Sequence, residues 1–311
     1  MVGGSIYVLA HDMQAHYKKK HEVDLINAKG SPHKPYDLVI NLVPKCAAGL
    51  MNSKRYMPFG KIVHVFTPNA EEFTSWELAG MLAVTGKDCY WVAHSPYNAR
   101  NIRRLMKAMF SPAYVRTFEE RFWDIPCGIK AEDFVNGKKD PDLLIAPFNR
   151  LSAAQKNIKL HSEITRKFLI ASKVRNRNPR VELYLCEAFD KKHSLDLEPY
   201  VVQKQPEDRK AYLERAGKCS LFLCTSGWES FGLYYLELLA AGAVGVFLER
   251  MWAKDLLGDY PLIVPKERLL ETLMWSYEHR EEAVKLIAPA VSRLKKQYAL
   301  SRFCDVILEI K

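Results

Sequence analysis

Two carboxylates, Glu229 and Glu237, stand eight positions apart in the stretch Thr225-Ser226-Gly227-Trp228-Glu229-Ser230-Phe231-Gly232-Leu233-Tyr234-Tyr235-Leu236-Glu237. The apolar run LFLC leads in and the helix-like run GLYYLELLAAG leads out. A strand that ends in a polar turn and opens a helix is where α/β proteins hold phosphates and sugars. The first N–H groups of that helix, around Phe231, Gly232 and Leu233, lack a carbonyl partner within it. With the helix dipole they form an anion site. Glu237 lies about one and a half turns in, where it can accept from a ribose diol. Glu229 lies just outside the helix beside Ser230, where it can hold hydroxyls of a second sugar. The plainer alternative is one capping acid and one helix-surface acid.

A second group of chemically capable residues is Asn149-Arg150-Leu151-Ser152-Ala153-Ala154-Gln155-Lys156-Asn157, directly after the apolar run LLIAPF. Arg150 and Lys156 therefore stand on a loop at a strand's carboxyl end. Two cations there can neutralise a diphosphate without a metal, Arg as a planar fork and Lys as a point charge. Alone this signal is weak, because basic loop residues are common.

The elements that must position these groups follow from the apolar pattern. Short runs (SIYVLA, VDLINA, YDLVINLV, KIVHVF, CYWVAHS, LLIAPF, VELYLCE, PYVVQ, SLFLCTS, AVGVFLE, PLIVP) alternate with helix-period segments. Ile102, Leu105, Met106 and Met109 share one face, as do Ile164, Phe168 and Ala171, and Tyr212, Leu213 and Ala216. Near-continuous apolar strands alternating with helices predict parallel sheets covered on both faces. SIYVLA reads as the first strand, and the helix after Glu229 begins near Phe231 or Gly232 and stops at Gly242. The alternation restarts near residue 143, after a Gly-, Pro- and charge-rich stretch from Asp124 to Asp142. The expected division is 1–127 and 128–311, two Rossmann-like doubly wound α/β domains facing across a cleft. The final helical segment is expected to pack back on the first domain.

The bulk numbers agree with a globular enzyme. The chain has 311 residues, 48% hydrophobic and 26% charged, enough for two domains. No apolar run approaches the ~18 residues of a membrane span. The N-terminus lacks the pattern of a secretion signal, and a cytoplasmic location is expected. The seven cysteines (46, 89, 127, 186, 219, 224, 304) show no metal-ligand spacing and read as buried thiols. A net charge of +10 points to a polyanionic partner: nucleic acid, an anionic membrane face or a phosphorylated substrate.

Taken together, the two loops resemble the family-4 retaining glycosyltransferases of the GT-B fold. The glutamate, seven residues, glutamate pattern fits Glu229 and Glu237, with Phe231-Gly232-Leu233 inside and Ala240-Ala241-Gly242 after. The basic pair matches Arg150 and Lys156. An interdomain turn of the Ile-Pro-x-Gly-Ile type is similar to Ile125-Pro126-Cys127-Gly128-Ile129 with Phe134. The resemblance implies a hexosyltransferase-type enzyme using a nucleoside-diphosphate sugar, a UDP-sugar, with no cofactor and no metal. It gives Arg150 and Lys156 the diphosphate, Glu237 the ribose, Glu229 the donor-sugar hydroxyls, and the amides from Ser230 to Leu233 the sugar or phosphate. Lys204, placed in the loop after PYVVQ, falls where such enzymes contact the nucleobase. Retention at the anomeric carbon is implied, the leaving diphosphate being stabilised by fixed cations and dipoles.

Three features depart from that pattern. His11-Asp12-Met13-Gln14 replaces the small-residue loop expected after the first strand. Ser220 stands where an aspartate is common. The histidine expected in the first domain has no secure match, leaving His11, His64 and His94 as acceptor-side candidates, each more readily read as an ordinary loop or strand-end histidine. Asp140-Pro141-Asp142 carries the acid-x-acid text of metal-dependent glycosyltransferases but reads as a turn.

For the acceptor, basic clusters with aromatics among them (Tyr17, Tyr56, Tyr97, Phe110, Tyr114) and a compact first domain favour DNA. The acceptor is then a hydroxymethyl pyrimidine base, as in bacteriophage enzymes that modify DNA. The rival is a peripheral enzyme at an anionic membrane surface acting on a lipid-linked or cell-surface glycan. It would use Arg100 to Phe110 as an amphipathic helix. A non-catalytic nucleic-acid or nucleotide-sugar binding protein is the alternative of another class. Donor sugar and oligomeric state are left open by the sequence.

Overall fold

The computed structural model describes residues 5–25, 34–42, 60–66, 89–134, 138–148, 154–185, 197–204 and 208–310. The chain divides into two compact units, one of Ile129–Gln297 and the other of Gly3–Gly128 joined by Tyr298–Lys311.

In the unit containing the N-terminal half, four parallel strands run in the order β1 (Leu38–Asn41), β2 (Lys61–Phe66), β3 (Cys89–Ala93) and β4 (Phe122–Asp124). Helix α1 (Ser5–Tyr17) precedes them. This corrects the expectation of a first strand at SIYVLA. Leu9, Met13 and Tyr17 recur every four residues and are all buried, which is a helical stripe. Reading only the six apolar letters hid the period. His11 and Asp12 are thus helix residues rather than a loop after a strand.

Two helices follow β3. Helix α2 (Pro96–Met109) opens with Ser95, whose side chain accepts from the Asn98 amide, and with Pro at its first position. Its Ile102 and Met106 pack with Trp91, Phe118 and Phe122 into the core of this unit, and Leu105 and Phe110 pack against them. Helix α3 (Pro112–Glu119) starts at Ser111 in the same manner. The short β4 was not anticipated: FWD is three residues long, too brief to show a period.

The second sheet is fully parallel, and its order is β10-β9-β8-β5-β6-β7. The strands are β5 (Leu143–Ala146), β6 (Arg180–Leu185), β7 (Val201–Lys204), β8 (Leu221–Cys224), β9 (Val244–Leu248) and β10 (Ile263–Val264). Counted within the unit this is the 3-2-1-4-5-6 order of a Rossmann sheet, and it reverses between β5 and β8. β5, β8 and β9 are buried along their whole lengths. That is why they read as unbroken apolar runs rather than alternating ones.

Helices α4 (Ile158–Val174), α5 (Arg209–Lys218) and α6 (Leu233–Ala240) follow β5, β7 and β8. After them come α7 (Met251–Leu257), α8 (Leu269–Glu278) and α9 (Arg280–Gln297). The chain then returns to the first unit, where α10 (Leu300–Glu309) packs on α1 and the Tyr17 hydroxyl donates to the Cys304 carbonyl at 2.9 Å.

Gly128 closes the first unit. A Cβ there would lie 2.3 Å from the Leu300 Cα and 2.5 Å from its nitrogen. Only a glycine lets the chain pass the start of α10 so closely. The preceding residues are tied to the end of β3, Ile125 N–H donating to Ala93 O at 3.1 Å and Cys127 N–H to His94 O at 2.8 Å.

The described cysteines, 89, 127, 219, 224 and 304, are buried and form no disulfide with one another. Burial pushes the thiols of Cys127, Cys219 and Cys224 up to about 12. Cys46 and Cys186 lie outside the described residues. Among the described residues no helix is long and apolar enough to cross a membrane.

Candidate functional site

The sheet reverses its order between β5 and β8, the place where open α/β sheets hold their ligands. The loops that follow these two strands are the two chemically capable stretches. They are stitched to one another: Gly227 N–H donates to Gln155 O at 2.8 Å, and the Thr225 hydroxyl to Lys156 O at 3.0 Å. The pairing of loops therefore rests on backbone carbonyls as well as on charged side chains.

Between them Lys156 Nζ meets Glu229 Oε1 at 2.5 Å. Lys156 ends a short 3-10 turn, Ala154–Lys156, and Glu229 precedes α6. Glu229 is only 8% exposed. A carboxylate so buried needs charge or hydrogen-bond compensation. It receives both: the Tyr235 hydroxyl donates to the same Oε1 at 2.9 Å. Tyr235 also meets the Ser226 hydroxyl at 2.7 Å and lies 3.4 Å from Lys156 Nζ. The Ser226 carbonyl in turn accepts from Trp252 Nε1 at 3.1 Å. Burial and the neighbouring Glu229 push the Tyr235 phenol well above its ordinary range, so it stays a donor.

Helix α6 begins at Gly232, which sits in the left-handed region at φ 77°. A Cβ there would be strained and would also press on Leu256, Tyr235 and Trp252. The turn Ser230-Phe231-Gly232 thereby starts α6 soon after β8, leaving the helix's first amides without carbonyl partners inside it. Gly242, at φ 85°, ends the helix, its N–H donating to Leu239 O at 2.9 Å.

Glu237 lies one turn along α6, buried, with Oε1 2.6 Å from Arg209 and Oε2 accepting from the Tyr212 hydroxyl at 2.6 Å. Arg209 in turn lies over the rings of Tyr212 and Phe134. Both carboxylates of the motif thus sit in this one unit, each beside a cation and a tyrosine hydroxyl.

Behind the loops stands His161 of α4. Its Nε2 is 3.0 Å from the Leu223 carbonyl, which can only accept, so the proton is on Nε2. Nδ1 then accepts from the Tyr200 hydroxyl at 2.6 Å. Burial lowers this imidazole to about 4, so it is neutral. It fixes β8 and the approach to β7 against α4.

Several sequence-derived candidates are not seen beside this pair. Arg150 lies outside the described residues. Lys204 ends β7 rather than sitting in the loop after it. His64 belongs to the core of the other unit. It is fully buried, its ring stacks 4.5 Å from that of Trp91, and Asn41 holds its Nδ1 at 2.9 Å. It has no surface to offer an acceptor. His94 stands just past the carboxyl end of β3, with Nδ1 3.2 Å from Asn98 Nδ2. His11 is half-buried on α1. Asp140-x-Asp142 is a turn before β5: Asp140 accepts from Arg180 at 2.7 Å and Asp142 from the Tyr277 hydroxyl at 2.5 Å.

Comparison with solved structures matches this architecture. WaaG, a glycosyltransferase involved in lipopolysaccharide biosynthesis, superposes with a TM-score of 0.67 over 99% of this chain and 97% of its own, at 15% identity. The fold is GT-B. A UDP-forming α,α-trehalose-phosphate synthase from Burkholderia xenovorans, in complex with glucose-6-phosphate, gives 0.65 over 98% of this chain and 76% of its own, at 13% identity. S. aureus TarM, solved as a mutant with fondaparinux, α-GlcNAc-glycerol and UDP, gives 0.67 at 11% identity, and the chain spans 55% of its length. No protein-family model matches the sequence, and no curated protein matches it significantly.

Within this GT-B chain, sequence reasoning missed Tyr235, Ser226, Trp252, Arg209 and Tyr212 as partners of the acids. Only Tyr235 carried a signal: with Tyr234 it puts hydroxyl-bearing rings into a largely aliphatic helix, six residues after Glu229.

Proposed function

We propose that this protein is a retaining glycosyltransferase that moves a sugar from a UDP-sugar to a hydroxyl acceptor. The observation that carries the reading is the Lys156–Glu229 pair at the point where the strand order reverses, beside the N-terminus of α6. In this reading Lys156, with Arg150, takes the diphosphate. The first amides of α6 add their partial positive charge, and the departing UDP is stabilised without a metal ion. Glu237 takes the ribose and Glu229 the donor-sugar hydroxyls. Retention is supported by the resemblance of the Glu229-to-Glu237 motif to family 4.

For the acceptor, a saccharide hydroxyl has support from WaaG, matched over nearly the whole of both chains. The DNA reading has support from the net charge of +10 and from the exposed Arg100, Arg104 and Lys107 of α2. The membrane-helix version of the rival has less support. Ile102 and Met106 of α2 are used in the core and Leu105 and Phe110 are half-buried against it, which leaves that helix less apolar surface for a membrane.

The test is incubation with radiolabelled UDP-glucose or UDP-N-acetylglucosamine and three acceptors: lipopolysaccharide core oligosaccharide, a lipid extract, and duplex DNA containing hydroxymethylcytosine. Label in the oligosaccharide, abolished by Glu229→Ala, is the expected result. Label confined to DNA reverses the acceptor assignment. Unchanged transfer by Glu229→Ala removes the site assignment.

A further inference from the structure

Glu229 raises a question that its ion pair does not answer. Both protein donors, Lys156 Nζ and the Tyr235 hydroxyl, converge on Oε1. Among the described residues nothing donates to Oε2, which is therefore the oxygen placed to take a ligand. In the proposed reaction Lys156 must turn to the diphosphate, and Glu229 then loses its cation while remaining buried. Something else has to hold it.

The side chains differ in their freedom to move. Lys156 is on a flexible four-carbon stem and its side chain is 18% exposed. Its ammonium also lies 5.2 Å from the centre of the Tyr235 ring, a contact it can keep while its three donors rotate elsewhere. Tyr235 cannot move. It is fully buried on α6, its ring packed against Phe222, Phe247 and Trp252. Its one proton goes to Glu229, and as an acceptor it takes a hydrogen bond from Ser226, whose own carbonyl is held by Trp252.

We propose that the Tyr235 hydroxyl is a positioning group. It holds Glu229 Oε1 after Lys156 has passed to the donor diphosphate, so that Oε2 stays aimed at the transferred sugar. This deepens the glycosyltransferase reading and rests on it. The Lys156–Glu229 pair is then the resting state of the site, and the Ser226–Tyr235–Glu229 chain is the part that persists when donor is bound.

Tyr235→Phe removes the hydroxyl and keeps the ring. Calorimetric titration of wild type and variant with UDP and with UDP-glucose and UDP-N-acetylglucosamine separates the roles without needing the acceptor. The expected result is that UDP affinity changes by less than about twofold, while the sugar nucleotide bound best by wild type loses about tenfold, the loss of a hydrogen bond to a charged group. The melting temperature should change little.

Equal weakening of UDP and UDP-sugar together with a lowered melting temperature makes Tyr235 merely structural and overturns the inference. So does unchanged binding of both. A wild-type protein that binds neither UDP nor UDP-sugar fails at a different point: it removes the nucleotide-sugar reading itself, and the inference falls with it.

Discussion

The two units are built alike and equipped differently. Each is a parallel sheet with helices, yet the described polar groups at or near their strand ends contrast. In the unit of Ile129–Gln297, charge stands at the sheet's reversal: Lys156 against Glu229, Arg209 against Glu237. In the other unit the described groups on or past β1, β2 and β3 include two Asn–His pairs, Asn41 with His64, which burial keeps neutral, and Asn98 with His94. An uncharged pair is buried at less electrostatic cost than an ion pair, although His64 Nε2 is left without a hydrogen-bond partner among the described residues. A buried ion pair costs desolvation and adds little stability unless something else requires it. Charges kept at such a place point to a ligand, and neutral pairs to packing.

The contrast breaks most directly at Lys156. Lys156→Ala should lower sugar transfer by about 100-fold or more, the scale for losing one group that stabilises a leaving oxyanion. The melting temperature should shift by only a few degrees, because the Tyr235 hydroxyl still reaches Glu229. Steady-state transfer measured beside a thermal melt decides it. A large loss of stability with proportionate loss of activity would make the pair structural, and the two units would then not differ in kind.

Gly128→Ala tests the opposite corner. Its new methyl meets backbone atoms of Leu300, not a flexible tip, so relief requires moving α10. Destabilisation of about 3 kcal/mol is expected, the upper part of the overpacking range. It should appear as a melt lowered by about 10 °C. Hydrogen exchange should show the loss in residues 3–128 and 298–310 while amides of α6 keep their protection.

A pH titration sharpens the comparison differently, because each unit buries an imidazole held near 4 by desolvation, His64 in one and His161 in the other. In each, the folded value lies below the unfolded value of about 6.5. The unfolded chain therefore binds more protons between those values. Stability is complete above about pH 6.5 and is lost as pH falls toward 4. At pH 5 each histidine should cost about 2 kcal/mol relative to pH 7.5. His161→Gln and His64→Gln, melted at both pH values, should each flatten the slope. Loss of only one slope would show that the other histidine is hydrated in solution.

These contrasts also mark what the residues disclosed in advance. The sheet of the second unit was legible because its strands are buried on both faces and spell LLIA, LFLC and VGVFL without interruption. The glycines of the Glu229 turn fixed where α6 starts and stops. The first unit was less legible where one short apolar run fits two periods, as at SIYVLA, or where a strand is three residues long, as at FWD. The acids were visible, but their partners were not. Arg209 and Tyr212 lie on α5 after β7, and Trp252 on α7 after β9, so only the strand order brings them to α6. No local spacing encodes that order.

The smallest effect tests the second carboxylate. Glu237 is gripped from two sides, by Arg209 at Oε1 and by the Tyr212 hydroxyl at Oε2. If ribose hydroxyls use this carboxylate, they must share lone pairs with those donors, and a carboxylate has about four to give. Tyr212→Phe removes one donor, leaves the ring under Arg209 and leaves the ion pair in place. UDP affinity should then fall by about fivefold, near 1 kcal/mol, because Oε2 is no longer fixed in direction. UDP and UDP-sugar should weaken together, unlike the split expected for Tyr235→Phe. If Tyr212→Phe instead tightened UDP, the hydroxyl would be a competitor for the ribose, and Glu237 would have to exchange its protein partner for its ligand just as Glu229 exchanges Lys156.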